Sequence, residues 1–136
     1  VETALVAEVR ESLPGAAGRT AYRFAPAKVL AQGRVVYYTV RIRNPSTVSA
    51  RDISVTQPVP ANTTYVPGSA AGPGAEVSFS VDGGQTFMPA GELEIVEAAG
   101  LARRAQPSDY THIRWRLRNP LAPGAVALAR FRAVFN

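Results

Sequence analysis

The stretch that decides the fold runs from Gly33 to Ser69 and reads GRVVYYTVRIRNPSTVSARDISVTQPVPANTTYVPGS. In its first part, apolar residues stand two apart and would share one face of a strand: Val36, Tyr38, Val40 and Ile42. This period of two, carried by β-branched and aromatic residues, is typical of β-strands. The strand should end at Pro45, because proline cannot donate to a ladder, and the alternation resumes at Ile53 and Val55. The stretch therefore predicts two paired strands followed by a closing turn.

The same stretch resembles a known family, the conserved-repeat domain of bacterial and archaeal surface proteins that is catalogued as domain of unknown function number eleven. The matching pattern is a glycine, VxYTVxIxN, and then A-x-x-I-x-V-T-x-P-x-P-A-x-T-x-Y-V-x-G-S. It is carried by Gly33, Tyr38, Thr39, Val40, Ile42, Asn44, Ala50, Ile53, Val55, Thr56, Pro58, Pro60, Ala61, Thr64, Tyr65, Val66, Gly68 and Ser69. The match continues through Val77–Phe87, Tyr110–Leu117 and Ala122–Gly124, so it spans about residues 28–136. Gln57 departs from it, because the family usually has an acidic residue there.

The resemblance implies an immunoglobulin-like sandwich outside the cell, and it implies no reaction. Composition agrees with a single domain, because 136 residues can bury one sizeable core and 46% of them are hydrophobic. The 11 glycines and 11 prolines are spread along the chain as turn signals, at intervals of about ten residues. We therefore expect an all-β, immunoglobulin-like two-sheet sandwich of about nine or ten antiparallel strands.

The N-terminal part of the chain is expected to be an extension of this sandwich. Residues 1–10 alternate and predict a strand, and residues 19–26 predict a second one, so residues 1–27 should form a strand or hairpin ahead of a sandwich at 28–136. Further along, Asp82-Gly83-Gly84 predicts a tight hairpin turn, and residues 98–109 an irregular loop.

Several bulk features bear on where the protein acts. Cysteine is absent, so no disulfide framework is expected, and no apolar run reaches the length of a transmembrane segment. The chain begins at Val1 without an initiator Met. We expect a mature secreted or cell-surface chain whose export signal has been cleaved.

Residues that could carry chemistry are few. His112 is the single histidine, and its sequence neighbours Ser108 and Asp109 stand too close along one strand to form a triad with it. One histidine and no cysteine predict no metal site and no cofactor. Asn62 begins a glycosylation sequon and Lys28 is the only lysine, and modification of either is left open. The residues favour a protein that is not an enzyme.

The charge of the chain suggests one candidate binding surface. The formal net charge is +5, and arginines alternate outward on two predicted strands: Arg41 and Arg43, and Arg114, Arg116 and Arg118. If these strands were neighbours in one sheet, the five side chains would form a stripe able to bind an acidic polysaccharide or an acidic protein. Nucleic acid is disfavoured, because only Tyr37 could stack on bases from that face.

The terminal strands suggest a different function. The side chains of Val126, Leu128 and Val134 alternate with apolar neighbours, so the last strand is apolar on both faces and needs a second cover, from the chain itself or from a partner. The N-terminal strand, with Val1, Thr3, Leu5, Ala7 and Val9 on one side, could supply a strand to the next copy. We therefore expect a structural subunit that joins copies head to tail by strand addition, with the monomeric polyanion-binding module as the alternative.

Overall fold

The structure is a computed structural model and describes residues 1–14, 20–28 and 30–136. These residues form ten β-strands and no α-helix. In chain order the strands are β1 (Glu2–Pro14), β2 (Thr20–Pro26), β3 (Val35–Arg43), β4 (Ser54–Pro58), β5 (Thr63–Tyr65), β6 (Ala75–Ser80), β7 (Glu94–Val96), β8 (Ala102–Arg104), β9 (His112–Leu117) and β10 (Val126–Phe135). The all-β prediction is confirmed.

The strands form a sandwich of two antiparallel sheets of unequal width. The large sheet has the order β2-β1-β3-β10-β5, and the small sheet has the order β4-β9-β6. Strands β7 and β8 form a separate hairpin, and a short 3-10 helix covers Pro107–Asp109. The predicted N-terminal hairpin is also present, because Glu8–Pro14 of β1 pairs with β2. The other half of β1, Glu2–Glu8, pairs with β3 and so belongs to the large sheet.

The core lies between β3 and β10 on one side and β9 on the other. The predicted inward residues of β3 are buried, with Val36 and Ile42 fully inaccessible to solvent. Trp115 on β9 is also fully buried, packs 5.9 Å from the ring of Phe131 on β10, and donates from its indole Nε1 to the carbonyl oxygen of Ala71 at 3.1 Å. Burial of such large apolar side chains supplies the main favourable free energy of the fold.

The prediction that β3 pairs with the next strand is wrong. β3 lies between β1 and β10, whereas β4 pairs with β9 in the small sheet. Both strands carry an apolar face, and the chain buries the two faces against each other by crossing from one sheet to the other between them. Alternation alone cannot distinguish two strands that pair side by side from two strands that pack face to face.

Asn44 fixes this crossing. Its side chain is 2% exposed, and its Nδ2 donates to the carbonyl oxygens of Val48 at 2.7 Å and of Leu121 at 2.9 Å. Its Oδ1 accepts from the backbone N–H and the hydroxyl of Ser46. All the hydrogen-bonding groups of the amide are therefore used, which is what burial of a polar side chain requires.

Other local predictions need correction. The region from 98 to 109 was predicted as an irregular loop, but it contains β8 and the 3-10 helix. The region after Pro60, predicted as a turn, contains β5, which pairs with the end of β10. Both strands have only three residues, too few for alternation to reveal them.

Replacing Asn44 with aspartate should destabilise the protein, because an ionised carboxylate would face two carbonyl oxygens that need donors. We expect a loss of about 3 kcal/mol in the free energy of unfolding at neutral pH. The two carbonyl oxygens would raise the pKa of the new carboxyl in the folded state. The loss in the free energy of unfolding should therefore shrink as the pH falls below about 4. Urea unfolding of N44D and of the matched change at the exposed Asn119, N119D, checks this, and equal stability of the two variants would contradict it.

Candidate interaction surfaces

The first candidate surface is an unpaired strand edge on β1. The backbone N–H of Ala27 donates to the carbonyl oxygen of Ala7 at 3.1 Å, and β2 pairs with β1 from Glu8 onward. Beyond Ala7, on the edge away from β3, residues Glu2–Val6 have no neighbouring strand among the described residues. We call Glu2–Val6 the open edge. Its N–H and C=O groups can accept a strand from another chain.

The inward face of β1 is only partly covered. Its inward positions are opposite the buried residues of β3, with Thr3 across from Ile42 and Leu5 across from Val40. Yet Leu5 is 42% exposed, whereas Val9, further along the strand, is 7% exposed. The small sheet is too narrow to cover the large sheet as far as the first half of β1, so this half is held mainly by its backbone pairing with β3.

The predicted donor strand, residues 1–10, therefore lies in the sheet of its own chain. Of the residues predicted to share one side of this strand, Val1 is 59% exposed and Ala7 packs against the core. Donation of this strand to another copy would require its pairing with β3 to be exchanged. Assembly itself stays a prediction.

The outward face of the large sheet combines apolar and basic residues. Val126 and Leu128 on β10 are 42% and 38% exposed, and Val6 on β1 is 41% exposed. No layer from the described part of the chain covers them, whereas Val134 is half-buried beside β5. The sequence left open whether the chain itself or a partner covers this face. Within the described residues, the chain covers it at Val134 and leaves Val126 and Leu128 exposed.

The prediction of a stripe of five arginines is wrong. Arg41 and Arg43 lie on β3 in the large sheet, whereas Arg114 and Arg116 lie on β9 in the small sheet and Arg118 follows directly after it. Each sheet turns its apolar residues inward, so the charged residues of the two strands point to opposite sides of the sandwich. The set is therefore divided into two basic surfaces.

On the large sheet, Arg41 and Arg43 have basic neighbours that sequence reasoning missed. Arg130 and Arg132 are exposed on β10, which pairs with β3, and they lie across from Thr39 and Tyr37. The signal was present in the sequence, because both arginines alternate with the buried Phe131. Acidic residues of β1 share this face, and Glu2 lies 3.6 Å from Arg43 in an exposed ion pair. The positive charge of the face is therefore partly offset.

On the small sheet, the other three arginines line a groove of about 550 Å³. We call it the arginine groove, and it is lined by Ala75, Glu76, Val77, Ser78, Phe87, Pro89, Arg114, Arg116 and Arg118. The Arg114 guanidinium lies 4.4 Å from the centre of the Phe87 ring, a cation–π contact. The contributions of Glu76 and Phe87 could not be found from the sequence, because the first depends on β6 pairing with β9 and the second on the bridge between Phe79 and Met88.

Acidic residues near the β7–β8 hairpin pair with Arg103, which is not one of the five predicted arginines. Glu97 binds Arg103 with an Oε1–Nε distance of 2.6 Å, and Arg103 also makes two hydrogen bonds to Asp109 at 2.8 and 3.1 Å. The Arg103 guanidinium holds the pKa of Asp109 below its usual range. Glu92 and Glu94 form no ion pair within the described residues. Arg103 thus ties the β7–β8 hairpin to the 3-10 helix.

The segment after β6 is a wide loop organised by Asp82, and the predicted tight hairpin turn at Asp82-Gly83-Gly84 is wrong. The next pairing after Asp82 is the bridge between Phe79 and Met88, so the loop between them is long. The Asp82 carboxylate accepts hydrogen bonds from the hydroxyls of Ser80 and Thr86, both at 2.6 Å, and from the backbone N–H groups of Gln85 and Thr86. Hydrogen bonds from the Ser80 and Thr86 side chains hold the pKa of Asp82 well below its usual range.

His112 lies outward on β9 beneath this loop. Its Nδ1 is 3.0 Å from the hydroxyl of Thr111, and it has no acidic partner among the described residues. No group of three or more potential metal ligands occurs in the described ranges. Likewise, the part of the chain that the structure describes has no helix long and apolar enough to span a bilayer.

Protein-family models, curated proteins and solved structures give no match to the chain. The resemblance of residues 28–136 to the surface-protein repeat domain therefore stays a prediction.

Replacing Asp82 with asparagine should destabilise the loop, because an amide cannot accept all four hydrogen bonds of the carboxylate. The pKa of Asp82 is depressed in the folded state, so its contribution is present above the unfolded pKa and is lost as the pH falls through the folded value. We expect D82N to melt several degrees below wild type at neutral pH and the gap to narrow below about pH 4. Thermal melts across pH check this, with E92Q, a change at an exposed acid, as the control. A gap that stays constant down to pH 2 would contradict the role assigned to the carboxylate.

Proposed function

We propose that the protein is a non-enzymatic structural subunit of an extracellular or cell-surface fibre, in which β1 of one copy completes the large sheet of the next. The resemblance of residues 28–136 to a repeat domain of surface proteins supports the extracellular setting. The partner is a further copy of the same chain, and no cofactor is involved.

One observation carries the proposal: the first half of β1 is a strand attached mainly through one backbone edge. Its other edge is open at Glu2–Val6, and its inward residue Leu5 is 42% exposed although it faces the core side. A strand with few buried apolar contacts can leave its sheet at a smaller free-energy cost than a core strand. The same strand, once released, presents a complete backbone ladder to an equivalent site.

The connection between the hairpin and β3 permits the exchange. Residues 27–34 join β2 to β3. Ala27 is hydrogen-bonded to β1, and Gly33 and Arg34 are hydrogen-bonded to Phe135, so residues 28–32 would bridge the exchange and could extend to about 17 Å. Strands β1 and β2 form one hairpin, so both can move together while their mutual pairing persists. Exchange of an identical element between copies keeps the native contacts and is a low-cost route to assembly.

Exchange in one direction produces a fibre. Each copy would donate its hairpin to one neighbour and accept a hairpin from another beside its own β3, so the contact is head to tail and, unlike a reciprocal exchange between two copies, can propagate. The exposed apolar residues Val6 and Leu128 lie on the outward face of the same sheet, where neighbouring copies in a fibre would partly cover them.

Locking β1 to its own β3 should prevent assembly. Val6 pairs with Thr39 in the large sheet, and the chain has no cysteine of its own, so V6C/T39C introduces a single defined disulfide. We expect protein that is oxidised as a monomer to remain monomeric at concentrations at which the reduced variant and wild type form fibres under the electron microscope.

The matched control ties Thr39 to its neighbour on the opposite side. Arg130 on β10 pairs with Thr39, so T39C/R130C forms a disulfide between two strands that stay in one chain during the exchange. This variant should assemble in both redox states. Fibres from the oxidised V6C/T39C protein, or a wild type that stays monomeric at high concentration, would overturn the proposal.

A further inference from the structure

The outward face of the small sheet has features that strand exchange does not use. Arg114, Arg116 and Arg118 alternate along β9 and its continuation, so about 7 Å separates successive Cα atoms of the row. The segment around Phe87 and Pro89 forms a wall along this row. The result is a groove with a regular series of cations.

Arg114 is held in place within this groove. Its guanidinium lies against the Phe87 ring at 4.4 Å, and its Nε is buried without a hydrogen-bond partner. Because the Nε atom is inaccessible, an incoming anion would bind the two terminal nitrogens of the guanidinium, which form no ion pair within the described residues. A guanidinium group binds carboxylate or sulfate groups with two parallel hydrogen bonds.

The other arginines of the groove retain capacity for a ligand. Arg116 is exposed and forms no ion pair within the described residues. Arg118 lies 3.4 Å from Glu76, but both side chains are more than half exposed, so solvent screening keeps this ion pair weak. An incoming anion can therefore compete with Glu76 for Arg118.

Hydroxyl groups surround the arginine row. Thr56 on β4 and Ser78 on β6 place a hydroxyl on each side of Arg114. Arg116 has the hydroxyl of Ser54 on one side and the carboxylate of Glu76 on the other. Hydroxyls that can donate and accept, interleaved with guanidinium groups, suit a polymer that carries both hydroxyl and acidic groups.

The groove lies on the face of a sheet, where backbone groups are already paired, so it offers no ladder to an extended peptide. Arg114 already occupies one face of the Phe87 ring, which leaves less aromatic surface for stacking on nucleic-acid bases.

We infer that the arginine groove binds an acidic polysaccharide, with Arg114, Arg116 and Arg118 holding successive carboxylate or sulfate groups. The site is separate from the strand exchange and does not depend on it. It also differs from the predicted stripe of five arginines, because Arg41 and Arg43 lie on the opposite side of the sandwich.

Binding to four immobilised polymers of matched length tests the ligand class. The probes are a polygalacturonate oligomer, a heparin-derived oligosaccharide, a neutral dextran oligomer and a single-stranded oligonucleotide. We expect binding to one or both acidic saccharides, a steep loss of affinity as salt increases, and no binding to dextran. The carboxylate and sulfate probes distinguish the two sources of negative charge. Failure to bind either acidic saccharide, or tighter binding to the oligonucleotide, would overturn the inference.

Matched charge changes on the two sides of the sandwich test the location. R116Q/R118Q should weaken binding about tenfold or more, whereas R41Q/R43Q removes the same charge from the other side and should weaken it less than about threefold. E76Q should tighten binding a few-fold, because it frees Arg118 and removes a repelling carboxylate, an effect that damage to the fold would not produce. Equal losses in the two double variants, or no gain from E76Q, would overturn the assignment. Urea unfolding of each variant shows whether the fold is retained.

Discussion

The structure depends on the packing of a wide sheet against a narrow one. Strand β9, which carries Trp115, and its neighbours β4 and β6 cover β3 and β10. Under this cover Val36, Ile42 and Phe131 are almost completely inaccessible to solvent. They do not reach the first half of β1. Leu5 therefore keeps a position on the core side of the sheet without the cover that makes such a position stabilising. The exposure of Leu5 follows from this difference in width, whereas the open edge exists because the pairing of β2 with β1 begins only at Glu8.

The same packing separates the charges of the protein. Two sheets that bury their apolar faces against each other must send their polar faces in opposite directions. Arg43 therefore lies beside Glu2 and the exposed apolar residues of β1 and β10, whereas Arg114 lies beside Phe87 and a set of hydroxyls. One face is mixed and partly neutralised, and the other is a defined row of cations. A similar alternation of arginines in the sequence thus produces two surfaces with different chemistry.

The sequence predicted the parts of the structure that alternation determines. The inward residues of β3 and the outward direction of the β9 arginines were predicted correctly, because apolar side chains alternate over six or more residues in each strand. The last strand is apolar on both faces, so alternation did not show which face of β10 is inward. Strands of three residues, such as β5 and β8, carry too little pattern to be recognised. The pairing of strands could not be predicted from the sequence either. The apolar face of a strand can be buried whether the next strand lies beside it in the same sheet or opposite it in the other sheet. That ambiguity explains why β4 was wrongly paired with β3 and why the arginines were wrongly joined in one stripe.

The loop at Asp82 was missed for another reason: its conformation depends on one carboxylate that binds Ser80 and Thr86, whereas glycine content alone suggested a short turn.

The two proposed interactions are compatible in one assembly, because they use opposite sides of the sandwich. Exchange of the β1–β2 hairpin takes place at one end of the large sheet, and it moves no residue of β6 or β9. The arginine groove would therefore remain accessible on every copy in a fibre. A polymer of copies then presents a repeated series of grooves to a polysaccharide that itself carries repeated charges, and the effective local concentration of each further site increases the overall affinity without any new contact. A weak single groove is sufficient for tight attachment in that case, which is consistent with a site built from exposed, partly screened arginines instead of a deep pocket.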